Sequence, residues 1–158
     1  MKKSSKTVYT LITSFLLTSF TIQAQTTVSS FEEKGKLGPK ENFTGNAWMN
    51  LNVHPDEDYN ANVVTVTFEP KARTNWHQHK TGQVLFVLEG TGYYQEKGQP
   101  KIIIKKGDVV KCPTNVTHWH GALPDTEMKH IAFVTDFKAN KTIWLEPVTD
   151  EEYYQDKK

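Results

Sequence analysis

The sequence predicts an all-β domain, a barrel or a sandwich, and three observations carry that reading. Short apolar and β-branched runs recur from Val63 onward, separated by Gly- and Pro-containing turns. Nothing in that region shows the i, i+3, i+4 apolar spacing of a long amphipathic helix. Two His-x-His pairs, His77 with His79 and His118 with His120, lie in or beside such runs. In an extended strand, side chains two apart share a face, so each pair can aim at one point.

The elements follow in order. Residues 46–54 alternate, with Met49, Leu51 and Val53 on one face and Asn50, Asn52 and His54 on the other. This predicts a half-buried strand that leaves His54 solvated. Residues 55–58 form a polar loop, and 63–69 are β-rich and closed by Pro70. Lys80-Thr81-Gly82 is a turn signal, after which 83–88 read as a buried strand. The glycines at 90 and 92, and Gly98-Gln99-Pro100, read as turns on either side of Tyr93-Tyr94-Gln95. Residues 102–105, 109–112, 117–120 and 129–135 read as further strands, with a turn at Gly107-Asp108. Thr149-Asp150-Glu151-Glu152 fits a capping box, Thr149 at the N-cap and Glu152 at N3, which predicts one short C-terminal helix.

A chain of 158 residues has the length of one domain. Residues 1–24 read as a signal peptide. Lys2, Lys3 and Lys6 precede an uncharged, largely apolar run from Val8 to Ile22, and Ala24 stands before the expected cut. That run falls short of the ~20 residues a spanning helix needs, so cleavage and no remaining membrane span are expected. The predicted protein is exported, periplasmic or secreted. Residues 25–42, rich in Ser, Thr, Lys and Gly, read as a flexible arm, and 43–158 as the folded domain. Beyond residue 24 there are 16 basic and 18 acidic residues, a net charge of −2 that offers no basic footprint for nucleic acid. Cys112 is the only cysteine, so an exported chain here has no internal disulfide and depends on its core. Between Val110 and Pro113 it reads as a buried, inert thiol.

These motifs resemble the cupin superfamily. The first cupin motif places an acid four residues after His-x-His and a glycine seven further on; His77, His79 and Gly90 match, and Gln83 takes the place of the acid. Lys71 stands where that motif has its first glycine. In the second motif Gly107, Pro113 and His118 match, Asn115 replaces a glycine, and Ala122 replaces the final Asn. Asn also visits the left-handed region, so that exchange is tolerable. The stretches at 66–79, 107–110, 118–122, 128–132 and 148–151 are similar to small single-domain cupins of the bacterial manganese-dependent hydroxynitrile lyase type, over roughly 43–153.

The resemblance implies a double-stranded β-helix, the jelly-roll barrel of cupins. It implies His77, His79, Gln83 and His118 as ligands of a divalent transition metal, manganese first, with iron, zinc, nickel or cobalt as alternatives. It assigns acid–base roles to His120 and His130, although His130 reads equally well as a hydrogen-bonded core histidine. Val64, Val66 and Val134 are expected to line an apolar pocket, and Trp76 and Trp119 to be packing residues. Gln in place of an acid leaves the ion's charge uncompensated, which favours polarising an oxygen ligand over activating oxygen.

The implied activity is a carbon–carbon lyase acting on a small cyanohydrin-type adduct, in a homo-oligomer. An iron-dependent cupin dioxygenase, and a non-catalytic metal- or small-molecule-binding envelope protein, are the alternatives. N-terminal sequencing of protein from its native host is expected to start at or near Gln25; an intact Met1 or Lys2 start overturns the export reading.

Overall fold

The computed structural model describes residues 26–56, 58–139 and 141–155, so the segment read as a signal peptide lies outside them. Among these described residues, twelve strands and one helix follow in chain order. They are β1 (Lys36–Leu37), β2 (Phe43–Thr44), β3 (Ala47–Val53), β4 (Ala61–Phe68), β5 (Arg73–Thr74) and β6 (His77–Gln78). Then come β7 (Gln83–Glu96), β8 (Ile102–Lys105), β9 (Val109–Cys112), β10 (His118–Ala122), β11 (Met128–Thr135), β12 (Ile143–Trp144) and α1 (Asp150–Tyr154). Every pairing is antiparallel. The strands run β1-β3-β4-β11-β7-β10-β5-β2, with β8 and β9 on β7, and β6 between β10 and β12. The curled sheet is a half-barrel, the all-β architecture that the short runs predict in the jelly-roll form that the resemblance implies.

β7 makes the curl. Its first half pairs with β11 and β9, and its second half with β10 and β8. Gln83, Leu85 and Val87 are the buried residues of the first half, whereas Gly92 and Tyr94 carry the alternation in the second, where Gln95 is buried as well beside Trp119. The register shift opposite Lys129 and His130 accounts for the change of phase, since one extra residue moves every later side chain to the other face. The turn expected at Gly90 to Gly92 is therefore corrected to a bend inside one fourteen-residue strand. These glycines serve close approach. A Cβ on Gly90, at φ 72°, would lie 1.8 Å from the Glu127 carbonyl oxygen, and one on Gly92 would lie 2.3 Å from that of Gly121.

Other expectations hold in part. Met49 packs on the core, but Leu51 and Val53 at the far end of β3 are exposed, as is His54. The segment read as a flexible arm is paired at its end, where Lys36 and Leu37 face Met49 and Trp48. Further back, the amides of Asn50 and Asn52 donate to the Ser30 carbonyl, and Lys129 Nζ lies 3.2 Å from Glu32 Oε2.

The interior divides into two clusters. One fills the barrel and includes Val64, Val66, Phe68, Leu85 and Met128. The other packs α1 against the outside of β10 through Trp76, Trp119, Val148 and Tyr153, the packing role read for the two tryptophans. The capping box at Thr149 and Glu152 is present in both directions. Buried Arg73 donates from Nη2 to the Val148 carbonyl at 2.9 Å and to Asp150 at 2.7 Å, and it lies over the Tyr153 ring. Tyr153 in turn donates to the Ala122 carbonyl at 2.7 Å. Cys112 is buried, and burial pushes its thiol up to about 12, which keeps it inert at neutral pH.

Lys71, at the position of a motif glycine, adopts φ 71°, and Asn115 adopts φ 59°. Both keep the glycine's left-handed backbone with a side chain attached. Lys71 is exposed, so its side chain contributes little packing against that strain. Left-handed backbone costs an L-residue roughly 1–2 kcal/mol, partly offset by the greater chain entropy glycine loses on folding. Lys71→Gly is therefore expected to raise stability by about 1 kcal/mol in thermal or urea denaturation; a lower midpoint contradicts the strain.

Candidate metal centre

The site is assembled where β6, the start of β7, and β10 meet. His118 sits directly opposite His77 in the β10–β6 register. Their rings are 4.4 Å apart, and the His79 ring lies 5.2 Å from His77 and 5.8 Å from His118. One ligand atom from each of His77, His79 and His118 lies within 4.8 Å of the others, close enough to share one metal ion. All three are buried. His79 stands just past the end of β6, so it is reached by the backbone leaving the strand as well as by alternation. Gln83, the first residue of β7, is buried as well.

Local hydrogen bonds set the ring nitrogens. His77 Nδ1 lies 2.9 Å from the carbonyl of Asn75, and His118 Nδ1 lies 2.9 Å from that of Val116. A carbonyl only accepts, so each Nδ1 carries the hydrogen and each Nε2 of a neutral ring keeps a lone pair. Sequence reasoning missed these partners because a backbone carbonyl leaves no mark on residue type. It also missed Thr142, whose Oγ1 lies 3.4 Å from His79 Nδ1, because 142–144 is too short a run to read as a strand.

The donor set fits a transition-metal ion. His79 Nε2, Gln83 Oε1 and His118 Nε2 are buried without a hydrogen-bond partner. An unsatisfied buried polar atom costs about 1–3 kcal/mol, a cost that a cation bound by the His77, His79 and His118 cluster would relieve at His79 and His118. Imidazole nitrogen and amide oxygen suit first-row divalent ions.

His120 and His130 form a second layer. His120 shares the interior face of β10 with His118, and His130 comes from β11. His120 Nδ1 lies 3.2 Å from His130 Nε2, so one hydrogen is shared between them. Phe68 packs on both rings. His120, whose buried Nε2 has no partner, is among the residues that line a cavity of about 100 Å³; His130 is not. Val64, Val66 and Val134 line that cavity as expected, joined by Phe43, Phe68 and Trp144. No lysine, arginine, aspartate or glutamate lines it among the described residues.

Burial dominates the electrostatics. It holds His77 and His120 well below the usual histidine range, with neighbouring imidazoles adding to the effect. It brings His79 and His130 down to about 4. Burial also lowers His118, opposed by its bond to the Val116 carbonyl and by the charge of Glu96. All five are neutral at pH 7, the form in which imidazole binds metal.

A half-barrel of antiparallel strands that gathers imidazoles from two facing strands defines a cupin. The cupin-domain profile matches residues 64–134, and the chain belongs to that family. It is 43% identical over 117 residues to (R)-mandelonitrile lyase from Granulicella tundricola, spanning 73% of this chain and 88% of that one. It is 27% identical over 93 residues to acireductone dioxygenase from Xenopus laevis, spanning 54% of this chain and 46% of that one. Among solved structures it resembles a cupin-like protein from Thermotoga maritima, at 48% identity and a TM-score of 0.75, over 79% of this chain and 95% of that one.

The depressed histidines predict a pH dependence. The unfolded chain protonates near pH 6.5 and His130 only near 4, so between these values the unfolded state binds more protons. Stability is fully present above pH 6.5 and lost as pH falls toward 4. At about 1.4 kcal/mol per unit, His130 alone contributes on the order of 3 kcal/mol. Urea melts of metal-stripped protein are expected to show a falling midpoint from pH 7 to pH 4.5, less steep in His130→Gln; a flat profile contradicts the burial of neutral imidazole.

Proposed function

We propose that this cupin is a metal-dependent lyase that cleaves cyanohydrin-type carbonyl adducts such as mandelonitrile, and that it acts after export. The observation that carries the reading is that His120, with an unpartnered Nε2, lines the same apolar cavity as His77, His79 and Gln83. The similarity to a mandelonitrile lyase over most of that protein's length supports the reaction class.

In this reading His77, His79, Gln83 and His118 hold a divalent ion, manganese first. When bound, the ion supplies Lewis acidity that lowers the pKa of an adduct's hydroxyl. Gln83 would contribute an amide oxygen without negative charge, so it would diminish that acidity less than a carboxylate. The apolar wall of Val64, Val66 and Phe68 takes an uncharged organic substituent and excludes water from the reacting carbon. His120 accepts the hydroxyl proton at Nε2, which requires the other hydrogen to sit on Nδ1 and be donated to His130 Nε2 at 3.2 Å. In this tautomer His130 accepts from His120 Nδ1 and its lone pair faces the positive charge that His120 gains. The carbon–carbon bond then breaks, its electron pair leaves with cyanide, and the aldehyde carbonyl forms. His120 returns its proton to cyanide.

An iron-dependent dioxygenase is the second reading, supported by the likeness to acireductone dioxygenase. The neutral Gln83 disfavours it, since a carboxylate better stabilises the higher oxidation states that oxygen chemistry visits. Oxygen consumption by the iron-loaded protein separates the two.

Metal content and mandelonitrile cleavage are to be measured together. His77→Ala, His79→Ala and His118→Ala are each expected to lose most bound metal, and full retention in any two sinks the ligand assignment. His120→Ala is expected to keep the metal and lose about 10²–10⁴-fold in turnover. Gln83→Glu is expected to hold the ion at least as tightly and turn over more slowly. Loss of metal in proportion to activity makes His120 a ligand instead. Failure of the manganese- or iron-loaded protein to cleave any cyanohydrin ends the lyase reading and favours a binding protein of the envelope.

A further inference from the structure

The three histidines that converge in this site are not oriented alike. His77 and His118 each face a carbonyl two residues earlier in the chain, at 2.9 Å in both cases. Such a partner can only accept, and it travels with its own histidine. His79 has no such carbonyl. The hydrogen-bond partner of its Nδ1 is the hydroxyl of Thr142, 63 residues further along the chain and 3.4 Å away.

Thr142 is brought there by sheet register. β12 pairs with β6 so that Ile143 faces Gln78 and Trp144 faces His77. Continued by one residue, that register sets Thr142 opposite His79. The strand thus backs both histidines of the pair: the Trp144 ring lies 4.9 Å from the His77 ring at an angle of 36°, and the Thr142 hydroxyl meets His79. Directly opposed side chains are the closest neighbours a sheet offers, which makes this a built contact rather than a chance approach.

We propose that Thr142 is a positioning residue of the metal site, whose hydroxyl accepts the Nδ1 hydrogen of His79 and so presents His79 Nε2 to the ion. The inference rests on reading His77, His79 and His118 as ligands. The unpartnered, buried Nε2 of His79 supports it: with the hydrogen on Nδ1, the lone pair lies on Nε2, where no protein group meets it. A hydroxyl differs from a carbonyl in that it also donates. The hydroxyl does not enforce the ligating tautomer of His79 as the carbonyls do for the other two, and His79 is the ligand most open to disturbance. Thr142 also lines the cavity, so it joins the substrate space to the metal site without being a ligand.

Thr142→Val keeps the shape of the side chain and removes the hydroxyl, whereas Thr142→Ser keeps the hydroxyl. Affinity for cobalt(II), measured by competition with a chelator, is expected to fall about 10–100-fold in Thr142→Val, with Thr142→Ser within a few-fold of the wild type. Wild-type affinity in Thr142→Val overturns the proposal and leaves the ligand assignment standing. Wild-type protein that binds no cobalt, or binds it equally well as His77→Ala and His118→Ala, removes the ligand assignment and this inference with it. If Thr142→Val does not fold, nitrogen-15 NMR of the metal-free wild type decides. His79 is expected with its hydrogen on Nδ1, and a hydrogen on Nε2 overturns the proposal.

Discussion

Five buried polar atoms without a protein partner set the terms for this barrel: His79 Nε2, Gln83 Oε1, His118 Nε2, His120 Nε2 and His130 Nδ1, among the described residues. Each costs on the order of 1–3 kcal/mol if nothing meets it, and the surroundings of all five are arranged to bear that cost. The rings stay neutral because burial drives their protonation far below neutral pH. Their orientation is set from behind by carbonyls, by Thr142 and by one another. The well-packed apolar residues around them supply the stability that these atoms draw on.

β10 shows how one strand serves both needs. His118 and His120 face the interior, and Trp119 between them faces outward into the cluster with Trp76, Val148 and Tyr153. That cluster is held by the Arg73 contacts to Val148 and Asp150 and by the Tyr153 hydroxyl on Ala122, the last residue of β10. The short helix α1 is therefore a brace for the strand that carries two of the site's histidines. Its capping box, in which Thr149 and Glu152 satisfy each other's backbone, lets so short a helix keep its place.

Much of the site was legible because a strand has a period of two. His77 with His79 and His118 with His120 could be paired without knowing the fold, and the cupin spacing added Gln83. The capping box was legible because its two residues satisfy each other locally. Gly90 and Gly92 read as a turn, since a sequence does not distinguish a glycine that reverses the chain from one that lets another backbone pass close by. Lys71 shows the reverse: the left-handed backbone of a motif glycine persists under a residue that gives no sign of it. β12 was illegible for a different reason. Two residues carry no periodicity, and their place beside β6 is fixed by long-range pairing alone. The front of the site was thus written in residue spacing, and its backing was written in topology.

The continuity of β7 bears on how the molecule comes apart. A sandwich whose sheets are joined only by loops can open one sheet and leave the other standing. Here one strand supplies hydrogen bonds to β11 and β9 at one end and to β10 and β8 at the other. Detaching either half pulls on the same backbone, which couples the opening of one half to that of the other. Amide hydrogens along the paired length of β7 are therefore expected among the slowest of the domain to exchange.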